Sequence, residues 1–157
     1  MKKILIRSLV VISILVALFY MLVVPKTVAM ITDYRRHTFE YVTENPEVLE
    51  IYDIGSNRSP DDYGFSNAQE LSYKTIYDGL DLSGWYIPSS NDSASKTLVI
   101  SHGRTSNRLK TMKYLEIIKS YGLDSIYHIF IPDLRNSGKS QEAKTGMGYE
   151  FAEDIAG

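Results

Sequence analysis

TLVISHGRTSNRLKTMKYLEIIKSYGLDSIYHIFIPDLRNSGKS, residues 97–140, decides the fold. Residues 97–101 form a short continuous apolar run, the pattern of a strand buried on both faces. Leu109, Met112, Leu115 and Ile118 then recur at helical spacing, with Lys110, Lys113 and Lys119 turned elsewhere. Gly122 suits the position just past a helix end. Residues 125–133 read as a second strand. Strand, helix and strand in this order are the crossover unit of a parallel α/β sheet. A loop follows each strand at its C-terminal end, the edge where ligands bind in open α/β sheets.

Upstream, LSYKTIYDGLDLSGWYIP reads as two strands around Asp78-Gly79, a dipeptide that suits a tight hairpin turn. Residues 27–70 read as a connector with short helices. In it, 28–41 can continue as a helix, and Asn45-Pro46 opens a short helix through about Tyr52 that Gly55 would end. SNRSPDDYG is loop by composition. His37, beside Arg35 and Arg36, reads as a solvated basic turn. Downstream, a further helix begins near Gly148-Tyr149-Glu150.

The N-terminus, residues 1–26, is a transmembrane anchor or signal segment. Residues 9–24 contain one polar side chain, Ser13. Residues 4–24 can cross the hydrocarbon layer if Arg7 snorkels to the interface. The reading favours a retained anchor in the lipid bilayer, with signal cleavage near Thr27-Val28-Ala29 and secretion as the alternative. Lys2, Lys3 and Arg7 precede the span, which places the N-terminus in the cytoplasm and the body outside.

The chain has 157 residues and a net charge of −2, without the basic stripe of a nucleic-acid surface. It has no cysteine, which excludes a disulfide framework, a thiolate zinc site and a thiol nucleophile. Gly138-Lys139-Ser140 has the letters of a phosphate loop. That loop requires glycine five positions before Gly138, and Asp133 stands there. A carboxylate would repel phosphate, so no nucleotide is expected.

The order of the hairpin with GWYIP, then TLVISHGRTSNR, a helix, IFIPDLRNSGKS and GYEFAED resembles the N-terminal half of an α/β-hydrolase. The branch is that of serine esterases and peptidase-like hydrolases with many membrane-anchored bacterial members. The resemblance covers about residues 71–157, an incomplete hydrolase core. It implies that His102-Gly103 shapes the oxyanion loop, with Arg104 giving one backbone N–H to the oxyanion. Gly103 lets the backbone approach a substrate closely, Ser106 or Asn107 caps the next helix, and His102 orients the loop without being the catalytic base. Asp133, Arg135 and Gly138 match a D-x-R-x-x-G-x-S turn that braces the active-site floor. Asn136 departs from the family, where many members carry glycine. Glu150 and Asp154 share a helix face and are expected to cap its start and meet the 133–135 loop. His128 is expected to be a packed side chain.

The implied substrate is a small molecule or peptide, with no cofactor and no metal. The family's Ser, acid and His would follow Gly148, and no G-x-S-x-G occurs in these 157 residues. The expectation is therefore a fragment with an uncovered edge at residues 97–101 and no activity by itself. The other reading is a non-catalytic, membrane-tethered module that binds a partner.

Overall fold

In the computed structural model, which describes residues 2–145 and 148–156, four strands form one mixed sheet. They are β1 (Gln69–Lys74), β2 (Asp81–Ile87), β3 (Thr97–Val99) and β4 (His128–Asp133). The order is β1-β2-β4-β3. β2 runs antiparallel to both β1 and β4, and β3 is parallel to β4, with Leu98 opposite Ile129. The expected crossover is therefore present, and it seats β3 beside β4.

Two expectations about the strands change. β3 is hydrogen-bonded within the sheet to β4 alone, and Val99 is 39% exposed. An edge strand of this kind packs one face, here through Leu98, and is not buried on both. The Asp78-Gly79 hairpin is also wider than a two-residue turn. Thr75 N–H donates to Leu80 O at 3.0 Å, which leaves Ile76 to Gly79 as the loop. The extra length lets Asp78 reach Arg135, 2.8 Å away.

The chain divides into two compact units, 1–34 and 35–157. In the first, α1 (Lys2–Leu22) and α2 (Val24–Thr32) are nearly continuous through a helical Val23. Pro25 has no N–H to give to the preceding turn, which accounts for the interruption. The stretch Ile6–Thr32 is a helix long and apolar enough to cross a membrane, a test that a signal sequence also passes. The expected continuation of helix through residue 41 fails at Thr32. Residues 33–38 leave the helical path, and His37 makes an isolated parallel bridge with Ser137.

In the second unit, α3 (Phe39–Glu44) starts on Thr38, whose hydroxyl accepts from Tyr41 N–H. α4 (Pro46–Tyr52) has Pro46 at its first position, as read from the sequence. Asn45 does not cap it, because its Nδ2 donates back to Tyr41 O at 2.7 Å. Asp53, at φ +54°, ends α4 two residues ahead of Gly55. The crossover helix opens with a 3-10 turn over Arg108–Thr111 and continues as α5 (Tyr114–Ser120). Gly122 at φ +62° takes the left-handed conformation that a helix end favours. A 3-10 turn at Leu123–Ser125 delays β4 until His128. α6 (Tyr149–Ala156) is the last element.

The core lies on one face of the sheet. Trp85 and Ile87 of β2 and Ile129 and Ile131 of β4 meet Leu109, Met112, Leu115 and Ile118. Each such burial contributes about 1.5–3 kcal/mol. Val42, Tyr52, Ile54 and Phe65 join the same cluster, so the segment before β1 packs against the crossover helix and the sheet.

Candidate functional site

The two loops that leave β3 and β4 meet at the C-terminal edge of the sheet, and one histidine joins them. His102 is buried, with Nδ1 2.7 Å from Gly103 O and Nε2 accepting from Leu134 N–H at 3.0 Å. One neutral tautomer, protonated on Nδ1, satisfies both bonds. Burial lowers its pKa below the usual 6.5, against the opposing pull of the Gly103 carbonyl and of Asp133 and Asp154. A depressed histidine stabilises the fold above 6.5, and that contribution is lost as the pH falls through the folded value. The His102 ring carbons should therefore titrate in NMR with a midpoint below 6.5, and a midpoint at or above 6.5 would contradict this geometry.

Gly103, Arg104 and Thr105 form an exposed turn between His102 and the crossover helix. A Cβ added at Gly103 would meet nothing within 4 Å. Thr105 takes φ +56°, sparsely populated for a β-branched residue. Asn107, rather than Ser106, caps the 3-10 turn, its Oδ1 accepting from Leu109 N–H at 3.0 Å.

The loop after β4 is built on Asp133, which is fully buried. Its Oδ1 accepts from Arg108 N–H at 2.8 Å, and its Oδ2 accepts from Lys139 N–H at 3.0 Å. Its carbonyl accepts from Ser140 Oγ at 2.6 Å, and Ser140 Oγ in turn accepts from Ser83 N–H. Asn136 sits at φ +58°, a conformation asparagine tolerates better than most residues. Gly138, at φ +49°, lies against the Asp133 carboxylate, and an added Cβ would come within 2.1 Å of it.

Arg135 makes a forked contact with the buried carboxylate of Asp154 on α6, at 2.9 Å from Nε and 2.7 Å from Nη2. Its backbone N–H donates to the same carboxylate, and Nη1 reaches Asp78 at 2.8 Å. Asp154 thus meets the 133–135 loop as expected. The neighbouring carboxylates raise the Arg135 pKa further, against the lowering effect of burial.

Sequence reasoning passed over Arg108, which is wholly buried at the centre of this edge. Its guanidinium lies 4.3 Å from the Trp85 ring centre and 5.0 Å from that of Phe39. Nη2 donates to Glu70 at 2.7 Å, and Nε stands 3.3 Å from Asp133. Lys139 Nζ donates to the other Glu70 oxygen at 2.7 Å. Partial burial would raise the Glu70 pKa, but these two cations outweigh it and hold the carboxyl at about 2. The lysine and serine of Gly138-Lys139-Ser140 are thus both engaged by other residues of the chain, Lys139 at the surface and Ser140 in the interior. No feature of the sequence around Arg108 distinguishes it from a solvent-facing residue of a first helical turn.

The remaining histidines are also engaged. His37 is half-buried, with Nδ1 3.1 Å from the Tyr52 hydroxyl, so the solvated turn expected there is absent. His128 accepts from Ser89 N–H on Nδ1 and has Nε2 3.1 Å from Ala94 O, pinning the 88–96 loop. Among the described residues, no group of three or more metal-ligating side chains is placed to hold an ion.

The fold is similar to that of an esterase, Pf2001 of Pyrococcus furiosus, solved in two crystal forms. In the P212121 form the identity is 30% and the TM-score 0.50, over 63% of this chain and 36% of the esterase. In the P21 form the identity is 29% and the TM-score 0.51, over 64% of this chain and 38% of the esterase. The chain therefore spans less than two fifths of that esterase's length. With its four-stranded mixed sheet and helices, the fold is α/β-hydrolase-like. No protein-family model matches the chain, and no curated protein matches it.

Proposed function

We propose that this chain carries the oxyanion side of a membrane-anchored, extracytoplasmic serine hydrolase acting on an ester, amide or peptide bond. One observation carries the reading. His102 fastens the loop after β3 to the loop after β4 at the ligand-binding edge of a sheet similar to an esterase's. In such a site, charge develops on the substrate's carbonyl oxygen as the nucleophile attacks. Fixed backbone N–H dipoles stabilise that charge without reorganising. The Arg104 N–H is the proposed donor from this half. Gly103 leaves the space beside it open. The Asp133 and Arg135 clusters hold the floor beneath.

The nucleophile, acid and base belong, on this reading, to sequence other than these 157 residues, which contain no G-x-S-x-G. The 157-residue chain, purified in detergent, should then show no adduct with a fluorophosphonate probe. An adduct on any of its serines would overturn this placement of the nucleophile. Transcript sequence past codon 157 supplies the second arm. An in-frame G-x-S-x-G within a few tens of codons supports the hydrolase, and an immediate stop favours the tethered, non-catalytic module.

A further inference from the structure

Residues 36–38 bind both loops of the edge at once. Arg36 Nη2 donates to Gly138 O at 2.9 Å and to Ser140 O at 2.5 Å. His37 O accepts from Gly138 N–H at 2.9 Å and from Asn107 Nδ2 at 2.9 Å. The same Asn107 nitrogen lies 3.3 Å from Thr38 O. Gly138 and Ser140 belong to the turn after β4, and Asn107 closes the loop after β3. The segment therefore joins the two loops by a second set of bonds, in addition to those of His102.

We infer that residues 36–38 are a positioning strap for this edge, and that Arg36 sets the 138–140 turn. The consequence for catalysis rests on the hydrolase reading, and the contacts themselves do not. Gly138 packs against the Asp133 carboxylate, and that carboxylate holds the Arg108 N–H. A shift of the strap is thus passed from Gly138 to Asp133, and from there to the start of the crossover helix beside the Gly103-Arg104 turn. The strap also follows the apolar helix of the first unit in sequence, with only Asp33, Tyr34 and Arg35 between Thr32 and Arg36.

The chemistry of Arg36 sharpens the test. Both bonds come from one nitrogen, Nη2, and Nε makes no hydrogen bond. A lysine ammonium is also a single nitrogen with several donors but ends one bond nearer the backbone, so it can serve these carbonyls only in part. Amide hydrogen exchange of the full chain in detergent micelles, resolved by peptide, reads the outcome. Arg36→Ala is expected to speed exchange at least tenfold in peptides covering 134–141 and 104–108. Peptides covering 112–118 and 129–131 should keep their protection. Arg36→Lys should restore part of the lost protection. Arg36→Gln, which keeps part of the stem, gives the same contrast if the alanine variant does not fold.

Unchanged exchange at 134–141 overturns the strap. An equal acceleration across the core also overturns it, since that reports loss of the whole fold. Failure of Arg36→Lys to restore protection removes the single-nitrogen argument and the proposal with it. Exchange needs no turnover, so an immediate stop after codon 157 would sink the hydrolase reading and leave the strap standing.

Discussion

Asp133→Ala is expected to remove about 3–5 kcal/mol of stability, the cost of leaving a buried charge without its partner. The Arg108 side chain is 0% exposed and so is that of Asp133. Alanine takes away the carboxylate beside the guanidinium and the acceptor for two backbone N–H groups, those of Arg108 and Lys139. Glu70 remains on Nη2, and Trp85 remains under the guanidinium, so the charge is not wholly abandoned. Asp133→Asn keeps the shape and one acceptor oxygen and should cost less. Glu70→Gln should cost no more than about 1 kcal/mol, because that carboxylate is partly exposed and its ion pairs are screened by solvent. Trp85 is the single tryptophan of the chain, so its fluorescence in a urea titration reports directly on this cluster. A loss below about 1 kcal/mol for Asp133→Ala would show that Glu70 and the aromatic rings suffice, and that Asp133 is not the anchor of the edge.

The centre of the sheet was legible because periodicity carries it. Ile129 and Ile131 alternate along β4, and Leu109, Met112, Leu115 and Ile118 repeat at helical spacing. All six are buried against one another. The turn chemistry was partly legible. Gly122, Gly138 and Asp133 sit where their residue types place them, and Asp154 meets Arg135. What periodicity cannot carry is the closure of contacts between distant segments. Arg108 and Asp133 are separated by 25 positions, and Arg36 and Gly138 by 102. Neither pair leaves a local mark.

The errors have the same origin. A helix from 28 to 41 satisfies local propensity, but residues 36–38 are drawn out to pair with the 137–140 turn, and tertiary bonds override propensity there. The two-residue hairpin turn satisfies Asp78-Gly79, but Asp78 is recruited by Arg135. The strand at 97–99 has the composition of a strand buried on both faces, yet composition does not say which neighbours are present. In each case the sequence pattern describes an element alone, and the structure shows the element held by a partner far along the chain.

Gly138→Ala is the second large effect, and it tests the same edge from the backbone side. Alanine at φ +49° is strained by about 1–2 kcal/mol in the left-handed region. Its Cβ would also stand 2.1–2.3 Å from the three atoms of the Asp133 carboxylate group, far inside contact distance. Either the carboxylate leaves Arg108 or the turn leaves the strap, so the total loss should reach about 4 kcal/mol or more. The two contributions separate in a double-mutant cycle. In an Asp133→Ala background the clash is gone, and Gly138→Ala should then cost only the strain of about 1–2 kcal/mol. The coupling between the two sites should accordingly be about 2–3 kcal/mol. Strict additivity would mean that the carboxylate and the glycine do not share this space. Gly103→Ala is the contrasting case. Its φ is not in the left-handed region and its Cβ would meet nothing within 4 Å, so its stability should change by no more than about 0.5 kcal/mol. Glycine at 138 thus answers to a demand of the fold. Glycine at 103 answers to none among the described residues.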